Sequence, residues 1–299
     1  MSIQRSIASN FNNITSPFGR RSVERFNPIT LFANGEQGAW YDPSDLSTMF
    51  TDTAGTTPAA VGDPVALLLD KSQGLELGPE LVENGGDPYT DTTGYEGVRG
   101  SLTIDAGSLV FTRTGTGVGG IRKSLTLVVG KTYLIEWGGG DGSTFRVAEG
   151  TSTPGNTFAD GSAGRAIYTA EFADASFWFR QLSSTVGDTI SIDRFSVREL
   201  AGNHARQETA AARPTLTAGT PNFLRSDLVD DAILWTAPAG TDYTIARLNS
   251  AGVVTILTEQ SLSGSTDIFL EQDIAAYIAV NRALTAGETS GLTSYLEGL

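Results

Sequence analysis

Apolar and polar residues alternate over short stretches in the middle of the chain. Between residues 132 and 137, Tyr133, Ile135 and Trp137 fall on one side of an extended strand, while Leu134 and Glu136 fall on the other. Stretches that favour strands recur at intervals of roughly 10 to 12 residues, with glycine-rich turns between them. This spacing is typical of a β-sandwich or jelly roll. The predicted strands are 101–104, 108–113, 120–128, 132–137, 144–149, 165–171, 176–182 and 189–198.

Further strands and one helix are predicted in the last third of the chain. The strands are 232–236, 242–249, 253–260 and 275–281, and residues 249–252 form a hairpin turn. Thr285 and Glu288 have the spacing of a helical capping box. Apolar residues then recur at helical spacing at Leu292, Tyr295, Leu296 and Leu299. We expect this helix to cover an edge or a face of a sheet.

The first 35 residues are polar and have no clear period, but they include several large apolar side chains. We expect them to form an extended arm that docks on another protein through Arg5, Phe11, Phe18, Arg20, Arg21 and Phe26. Residues 1–30 contain four arginines and one glutamate, whereas the whole chain has a formal net charge of −14. The arm is therefore suited to an acidic partner surface. An ordinary flexible tail is the alternative interpretation.

Composition excludes several classes of protein. The chain has 299 residues, of which 39% are hydrophobic and 18% charged, so we expect about two folded domains and a sizeable core. The absence of cysteine excludes disulfides, cysteine-zinc sites and thiol catalysis. An acidic body disfavours nucleic-acid binding. No apolar run has the length of a signal peptide or of the ~20 residues that cross a bilayer, so we expect no membrane insertion.

The sequence offers little support for catalysis. The single histidine, His204, lies in a polar context that predicts a loop, and no G-x-S-x-G motif accompanies it. Pairs of carboxylates suited to glycoside hydrolysis arise by chance among 34 acidic residues. Asp227, Asp230 and Asp231 are typical of a turn. The chain is therefore predicted not to be an enzyme.

Three segments resemble parts of one module. AWYDPSDLSTMFTDTAGTTPAAVGDPVALLLDKS at 39–72 resembles the opening of concanavalin-like (laminin-G-like) modules of phage structural proteins. GNHARQETAAARPTL at 202–216 resembles the stretch that follows directly in those proteins, and AAYIAVNRALTAGETSGLTSYLEGL at 275–299 resembles their closing strand and helix. The resemblance implies a docking arm at 1–35, a discontinuous β-rich module at 36–77 and 201–299, and a sandwich at 78–200 inserted into it.

The inserted segment resembles a carbohydrate-binding module of the jelly-roll type, through LTLVVGKTYLIEW at 125–137 and GDTISIDRFSVREL at 187–200. Sugars stack on exposed aromatic rings, and the candidates are Trp178, Tyr95, Tyr89 and Trp137. Burial in the core is the alternative for each of them. The resemblance also implies a structural calcium ion at Glu80 or Asp87 with Asp193, the alternative being that Asp193 pairs with Arg194 or is exposed. No other cofactor is expected.

Together these features predict a mainly β protein: a jelly-roll or β-sandwich domain inserted in a second small β-rich module with a C-terminal helix, preceded by an extended arm. The predicted function is that of a tailed-phage virion protein, as a head decoration, head fibre or tail-associated appendage, which is made in the host cytoplasm. Its expected partners are capsid, portal or tail proteins, further copies of itself in a homo-oligomer such as a trimer, and a host-surface polysaccharide. The alternatives are a glycan-active depolymerase and a scaffold that binds no sugar.

Overall fold

In the computed structural model, which describes residues 26–85, 88–150, 154–269 and 273–299, antiparallel strands dominate the chain. Three strands precede residue 70: β1 (Gly38–Tyr41), β2 (Met49–Phe50) and β3 (Leu67–Leu68). The next group, between residues 77 and 200, is β4 (Leu77–Glu80), β5 (Glu96–Val98), β6 (Gly100–Asp105), β7 (Ser108–Arg113), β8 (Gly120–Thr126), β9 (Thr132–Gly138), β10 (Phe145–Gly150), β11 (Thr157–Asp160), β12 (Arg165–Thr169), β13 (Asp174–Gln181), β14 (Thr189–Ile192) and β15 (Arg194–Leu200). The last group is β16 (Ala205–Arg206), β17 (Thr215–Thr217), β18 (Phe223–Arg225), β19 (Leu234–Leu248), β20 (Val254–Asp267) and β21 (Ala276–Val280). A helix, α1 (Ala286–Glu297), follows β21, and short 3-10 helices occur at Pro28–Phe32, Leu46–Thr48, Gly142–Thr144, Gly161–Ala163 and Ala210–Ala212.

The strands of the middle group form a sandwich. They build a five-stranded sheet (β11-β10-β13-β8-β5), a four-stranded sheet (β12-β9-β15-β4) and a three-stranded sheet (β14-β7-β6). Phe195 of β15 lies across the interior from β13, with its ring centroid 5.9 Å from that of Phe177 and 5.1 Å from that of Phe179. Tyr133, Ile135 and Trp137 of β9 join the same core, as their alternation predicts. The predicted mainly β, sandwich-type fold is confirmed.

The remaining strands form a seven-stranded sheet in the order β1-β21-β19-β16-β3-β2, with β20 paired to β19. Successive residues of β1 point to opposite faces, so Tyr41 packs on one face with Trp235 and Tyr277, while Trp40 packs on the other. The Trp40 face is covered by α1, which explains why this sheet is buried on both sides. A small sheet of β17 and β18 lies beside it.

Helix α1 begins where the sequence predicts it. The Thr285 hydroxyl accepts a hydrogen bond from the Glu288 N–H at 3.2 Å, and the Glu288 carboxylate accepts one from the Thr285 N–H at 2.8 Å. This reciprocal pair satisfies two N–H groups that a helix start leaves free. Leu292 and Leu296 are buried against the sheet. The predicted capping box and apolar face are therefore both confirmed.

The long hairpin of β19 and β20 differs from the prediction. Residues 232–236 and 242–249 were expected to form two strands, but they belong to a single strand of 15 residues. Pro238 lies within it, at a place where the pairing with β20 shifts between Ala237 and Gly240. A bulge accommodates proline because the ladder is interrupted there, so the missing N–H of proline leaves no carbonyl oxygen of the neighbouring strand without its donor. The strand therefore continues through a sequence that favours a turn.

The chain leaves the seven-stranded sheet and returns to it at nearly the same place. Leu77 of β4 pairs with Leu200 of β15, so the two ends of the middle group are neighbours. Just outside them, the buried Asp70 carboxylate accepts hydrogen bonds from the N–H groups of Trp40 and Asn203, both at 2.7 Å. This connectivity is the one that an insertion would produce. The domain boundaries at residues 35, 77 and 200 stay a prediction.

Candidate functional site

A cleft of about 1060 Å³ lies between the edge strands β11 and β12 of the sandwich and two segments of the other sheet, 52–57 and 202–213. Its volume is close to the upper end of the range of small-molecule sites in proteins. Polar side chains dominate its lining. Hydroxyl groups are contributed by seven threonines, Thr53, Thr56, Thr57, Thr132, Thr157, Thr169 and Thr236. Amide groups are contributed by Asn156, Asn203 and Gln207.

Glu149 supplies a buried carboxylate to this cleft. It lies on β10, opposite Phe177 of β13, and only 3% of its surface is exposed. Among the residues that the structure describes, none supplies a hydrogen-bond partner for its Oε2 atom. Burial raises the pKa of Glu149, and the negative charge of Glu171, which also lines the cleft, raises it further. Glu149 thus brings an unpaired and almost wholly buried carboxylate oxygen to the lining of the cleft.

Arg206 supplies a matching donor. It lies on β16, and its Nη1 atom donates a hydrogen bond to the carbonyl oxygen of Thr53 at 2.7 Å. Its Nη2 atom is buried and has no hydrogen-bond partner within the described part of the chain. An unpaired buried polar atom costs free energy comparable to a lost hydrogen bond. A ligand that forms hydrogen bonds with Glu149 Oε2 and Arg206 Nη2 therefore recovers that free energy on binding.

An aromatic pair forms part of the wall. The rings of Phe158 and Tyr168 are stacked, with centroids 5.5 Å apart and an angle of 28° between their planes. Phe158 is half-buried and lines the cleft, so part of its ring is open. The ring centroid of Phe158 also lies 6.3 Å from that of Phe177, which pairs with Glu149 between strands β13 and β10. The open ring and the buried carboxylate therefore belong to the same part of the cleft.

The lining has an excess of negative charge. Five carboxylates, those of Asp52, Glu149, Asp160, Glu171 and Glu208, face two guanidinium groups, those of Arg206 and Arg213. The formal charge of the lining residues is therefore −3 when every group is ionised, and −2 when Arg146, which pairs with Asp160 at 2.9 Å from outside the lining, is included. The donors of Arg213 are engaged with backbone carbonyls of Gln207, Thr51 and Glu208.

His204 also lines the cleft, but its imidazole is a structural group. Its Nδ1 atom accepts a hydrogen bond from the N–H of Asp70 at 3.0 Å, which leaves Nε2 to donate to the Leu200 carbonyl at 3.2 Å. Burial lowers the pKa of His204 to about 4. The sequence predicted a loop position, and the structure adds that this ring is buried and neutral at pH 7.

Three of the four aromatic residues predicted to stack on sugars are buried. Trp137 and Tyr89 are each 2% exposed, and both belong to the sandwich core. The Trp137 Nε1 atom donates to the Gly161 carbonyl at 2.6 Å. Trp178 is 1% exposed and points away from that core, but the guanidinium group of Arg122 lies 5.4 Å from its ring centroid. These rings have no open face for a sugar, which corrects the expectation for this structure.

Tyr95, the fourth predicted residue, is half-buried and lies apart from the cleft. Its hydroxyl group is 3.2 Å from that of Tyr89, and the rings meet edge to face at 5.5 Å. The Nζ atom of Lys123 lies 4.7 Å from its ring centroid. Tyr95 thus completes a small cluster at the edge of the core, and its role in binding a sugar stays a prediction.

The predicted calcium ligands do not form a group of free carboxylates. Glu80 accepts hydrogen bonds from the N–H groups of Val82 at 3.0 Å and Val197 at 2.9 Å, and also from Ser196 and Arg198. Donors therefore occupy the positions that a cation would need. Asp193 accepts a hydrogen bond from the Ser108 hydroxyl at 2.7 Å, and Asp87 lies outside the described residues.

Within the described part of the chain, the acidic residues close enough to share a metal ion are Asp227, Asp230 and Asp231. The Asp227 carboxylate accepts hydrogen bonds from the N–H groups of Val229, Asp230 and Asp231, at 2.9 to 3.4 Å. These residues therefore form a turn, as the sequence predicts.

Of the predicted docking arm, only Phe26 lies within the described residues, and Arg5, Phe11, Phe18, Arg20 and Arg21 lie outside them. Phe26 packs on α1 of its own chain, where a Cβ atom at Gly291 would lie 2.4 Å from the Phe26 Cδ2 atom. Leu31 and Phe32 are buried in the same cluster. The expectation that Phe26 docks on another protein is therefore corrected, because the apolar side chains between residues 26 and 32 pack in the chain's own core.

Comparison with known protein families and with curated proteins finds no match to this chain. Within the described residues, no helix combines the length and the apolar character that crossing a membrane requires.

The cleft itself was not predicted. Glu149 and Glu171 fall in predicted strands and Arg206 falls in a polar segment between predicted strands, and only tertiary packing brings the three residues to one cavity. A signal was nevertheless present, because Glu149 falls on the core-facing side of β10 together with Phe145 and Val147. A carboxylate in the apolar register of a strand indicates a buried charge that needs a partner.

Proposed function

We propose that this protein is a non-catalytic structural component of a bacteriophage particle that binds a host-surface polysaccharide in the cleft between its sandwich and its seven-stranded sheet. The observation that carries the binding proposal is the pair of unpartnered buried atoms, Glu149 Oε2 and Arg206 Nη2, in one polar cleft. Sugar hydroxyl groups both donate and accept hydrogen bonds, so an oligosaccharide that extends along the cleft supplies a donor for Glu149 and an acceptor for Arg206. The half-open ring of Phe158 offers a face for sugar C–H groups.

Membership of a phage particle is supported by the resemblance of segments 39–72, 202–216 and 275–299 to phage structural proteins. The long edge strand β20, which pairs only with β19 among the described strands, supports assembly into an oligomer. Open edges of this kind are commonly covered by another copy of the same chain.

Binding is tested with a panel of immobilised bacterial capsular polysaccharides and lipopolysaccharides. We expect at least one of them to bind the wild-type protein and to lose at least tenfold in affinity with Arg206→Gln. Arg225→Gln is the matched control, because Arg225 lies on β18 and contacts Phe223, away from the cleft. The same thermal unfolding midpoint in both variants shows that folding is intact. Failure of every polysaccharide to bind, or an equal loss with both variants, would refute the proposal and favour a scaffold that binds no sugar.

Incorporation into the particle is tested by truncation. Phe26, Leu31 and Phe32 pack in the core, so the informative variant lacks residues 1–25 and begins at Phe26. We expect this variant to fold, with an unchanged circular dichroism spectrum, and to be absent from purified particles. Its normal incorporation would show that the arm does not attach the protein.

Hydrolysis of the bound glycan is a second candidate function, favoured by one observation. Glu149 has a raised pKa and a second carboxylate, Glu171, close enough to raise it. Glycosidases use such a pair, with one group protonated and one ionised. A reducing-sugar assay on the polysaccharide that binds distinguishes the two functions: release of reducing ends by the wild type, and not by Glu149→Gln, would establish an enzyme.

A further inference from the structure

The charges around the cleft limit the chemistry of its ligand. Its lining holds five carboxylates and two guanidinium groups. The N–H donors of one of these groups, Arg213, already bind backbone carbonyl oxygens. Among the described residues of the lining, Arg206 holds the guanidinium nitrogen without a hydrogen-bond partner, Nη2. A ligand that brings a carboxylate or a sulfate group into this lining meets an excess of like charge.

The buried Glu149 carboxylate determines which hydrogen-bond donor a ligand should carry. A carboxylate that is 3% exposed has lost most of its hydration, and its Oε2 atom has no donor from the protein. A sugar hydroxyl group would supply one neutral hydrogen bond. A protonated amino group would supply a charge-assisted hydrogen bond, which is roughly twice as strong, and would also neutralise the buried charge.

The position of the aromatic wall fits a sugar that carries the amino group. Phe158 lies 6.3 Å from Phe177, which faces Glu149 across the β10–β13 ladder. A pyranose stacked on the open part of the Phe158 ring would therefore place its substituents towards the carboxylate. The negative side chain of Glu171 adds a second attraction for a cation at this end.

We propose that the cleft selects glycans that carry a free amino group, which pairs with the Glu149 carboxylate, and that it rejects glycans built from uronic acids. This inference rests on the proposed glycan-binding function and names the chemical class that the site takes. The Arg206 end of the cleft binds a hydroxyl or carbonyl oxygen of the same oligosaccharide.

The test compares three probes of equal length on the full chain by isothermal titration calorimetry at pH 6 and 0.15 M salt. They are a glucosamine tetramer with free amino groups, its fully N-acetylated form, and a tetramer of galacturonic acid. We expect the amino form to bind about tenfold more tightly than the acetylated form, and the galacturonic acid tetramer to show no binding. In Glu149→Gln the amino and acetylated forms should bind within about twofold of each other.

Glu96→Gln is the matched control, since it removes the same charge at β5, on the opposite edge of the five-stranded sheet from β11. An equal loss of preference in Glu96→Gln and Glu149→Gln would show non-specific attraction to an acidic protein and would overturn the inference. Equal affinity of the wild type for the amino and acetylated forms would also overturn it, while leaving the proposed function in place. Tight binding of the galacturonic acid tetramer would contradict the charge argument directly.

Discussion

The single histidine gives the sharpest test of the structure, because its pKa sets a defined window of acid sensitivity. His204 has an ordinary pKa of 6.5 in the unfolded chain and a pKa of about 4 in the folded protein, where burial opposes its charge. Below pH 6.5 the unfolded chain binds a proton that the folded protein does not bind until about pH 4. The folded state is therefore progressively destabilised as the pH falls between these two values.

The size of this effect follows from the two pKa values. Each pH unit between them is worth about 1.4 kcal/mol. Acidification from pH 7 to pH 5 should therefore remove about 2 kcal/mol of stability, and acidification to pH 4 about 3 kcal/mol, through His204 alone. In His204→Gln this component disappears. The glutamine amide keeps one acceptor for the Asp70 N–H and one donor for the Leu200 carbonyl, so we expect a loss of only about 1 kcal/mol at pH 7.

Two measurements check this reasoning. Urea unfolding of the wild type and His204→Gln at pH 7, 5 and 4 gives the difference in pH dependence, and the effects of the carboxylates cancel between the two proteins. The imidazole proton resonance of the folded wild type needs no assignment, because the chain has one histidine. A midpoint near pH 6.5 in that titration, or parallel pH profiles for the two proteins, would refute a buried neutral His204.

Three further predictions concern stability. Glu288→Ala should cost about 1–2 kcal/mol at pH 7, because it removes the ion pair with Arg282, at 2.7 Å, together with the capping box. The cost should shrink as the pH falls from 4.5 towards 2, because the Arg282 guanidinium and the Thr285 donors lower the folded pKa of Glu288 to about 2. Trp137→Phe should cost about 1–2 kcal/mol more than Trp178→Phe, because the Trp137 indole N–H donates to a backbone carbonyl and that of Trp178 has no partner. Gly38→Ala should cost more than about 3 kcal/mol, since its Cβ atom would lie 1.9 Å from the carbonyl oxygen of Ala279.

Each of these predictions has its own measurement and control. Urea unfolding across pH 7 to 2.5 follows Glu288→Ala, and a difference from wild type that is constant with pH would contradict the assigned pKa. Equal unfolding free energies for the two tryptophan variants would show that the Trp137 hydrogen bond contributes nothing. Gly287→Ala is the control for Gly38→Ala, because a Cβ atom at Gly287 meets nothing within 4 Å and lies in a helix, where alanine is favoured. A Gly38→Ala protein as stable as this control would refute the clash.

Features that depend on neighbouring residues could be predicted from the sequence. The capping box at Thr285 and Glu288 involves residues three positions apart, and the alternation in β9 reflects the pleat of one strand. Trp178 shows where this reasoning ends. Alternation places it opposite Phe177 and Phe179, as observed, but its ring is covered by Arg122, which comes from a neighbouring strand and is 56 positions earlier in the chain. Burial of this ring depends on a pairing that no local pattern shows.

The cleft depends still more on tertiary structure. Its walls come from segments near residues 52–57, 130–132, 149–171, 202–213 and 234–236, so its first and last lining residues, Asp52 and Thr236, are 184 positions apart in the sequence. The prediction placed sugar binding on aromatic residues of the sandwich, Tyr89, Tyr95, Trp137 and Trp178, three of which are buried. The residues that line open space are threonines and acids, whose types are common on any surface. Composition alone therefore gives no reason to select them.

The pairing of Leu77 with Leu200 has a consequence for how this chain could be altered. Partners in an antiparallel ladder have Cα atoms about 5 Å apart, so the segment between Leu77 and Leu200 begins and ends at nearly the same point in space. A short turn, or another folded domain whose two ends lie close together, can replace this segment without distorting the seven-stranded sheet. The Leu77–Leu200 pair is thus a suitable point for exchanging the sandwich for another domain while the seven-stranded sheet stays the same.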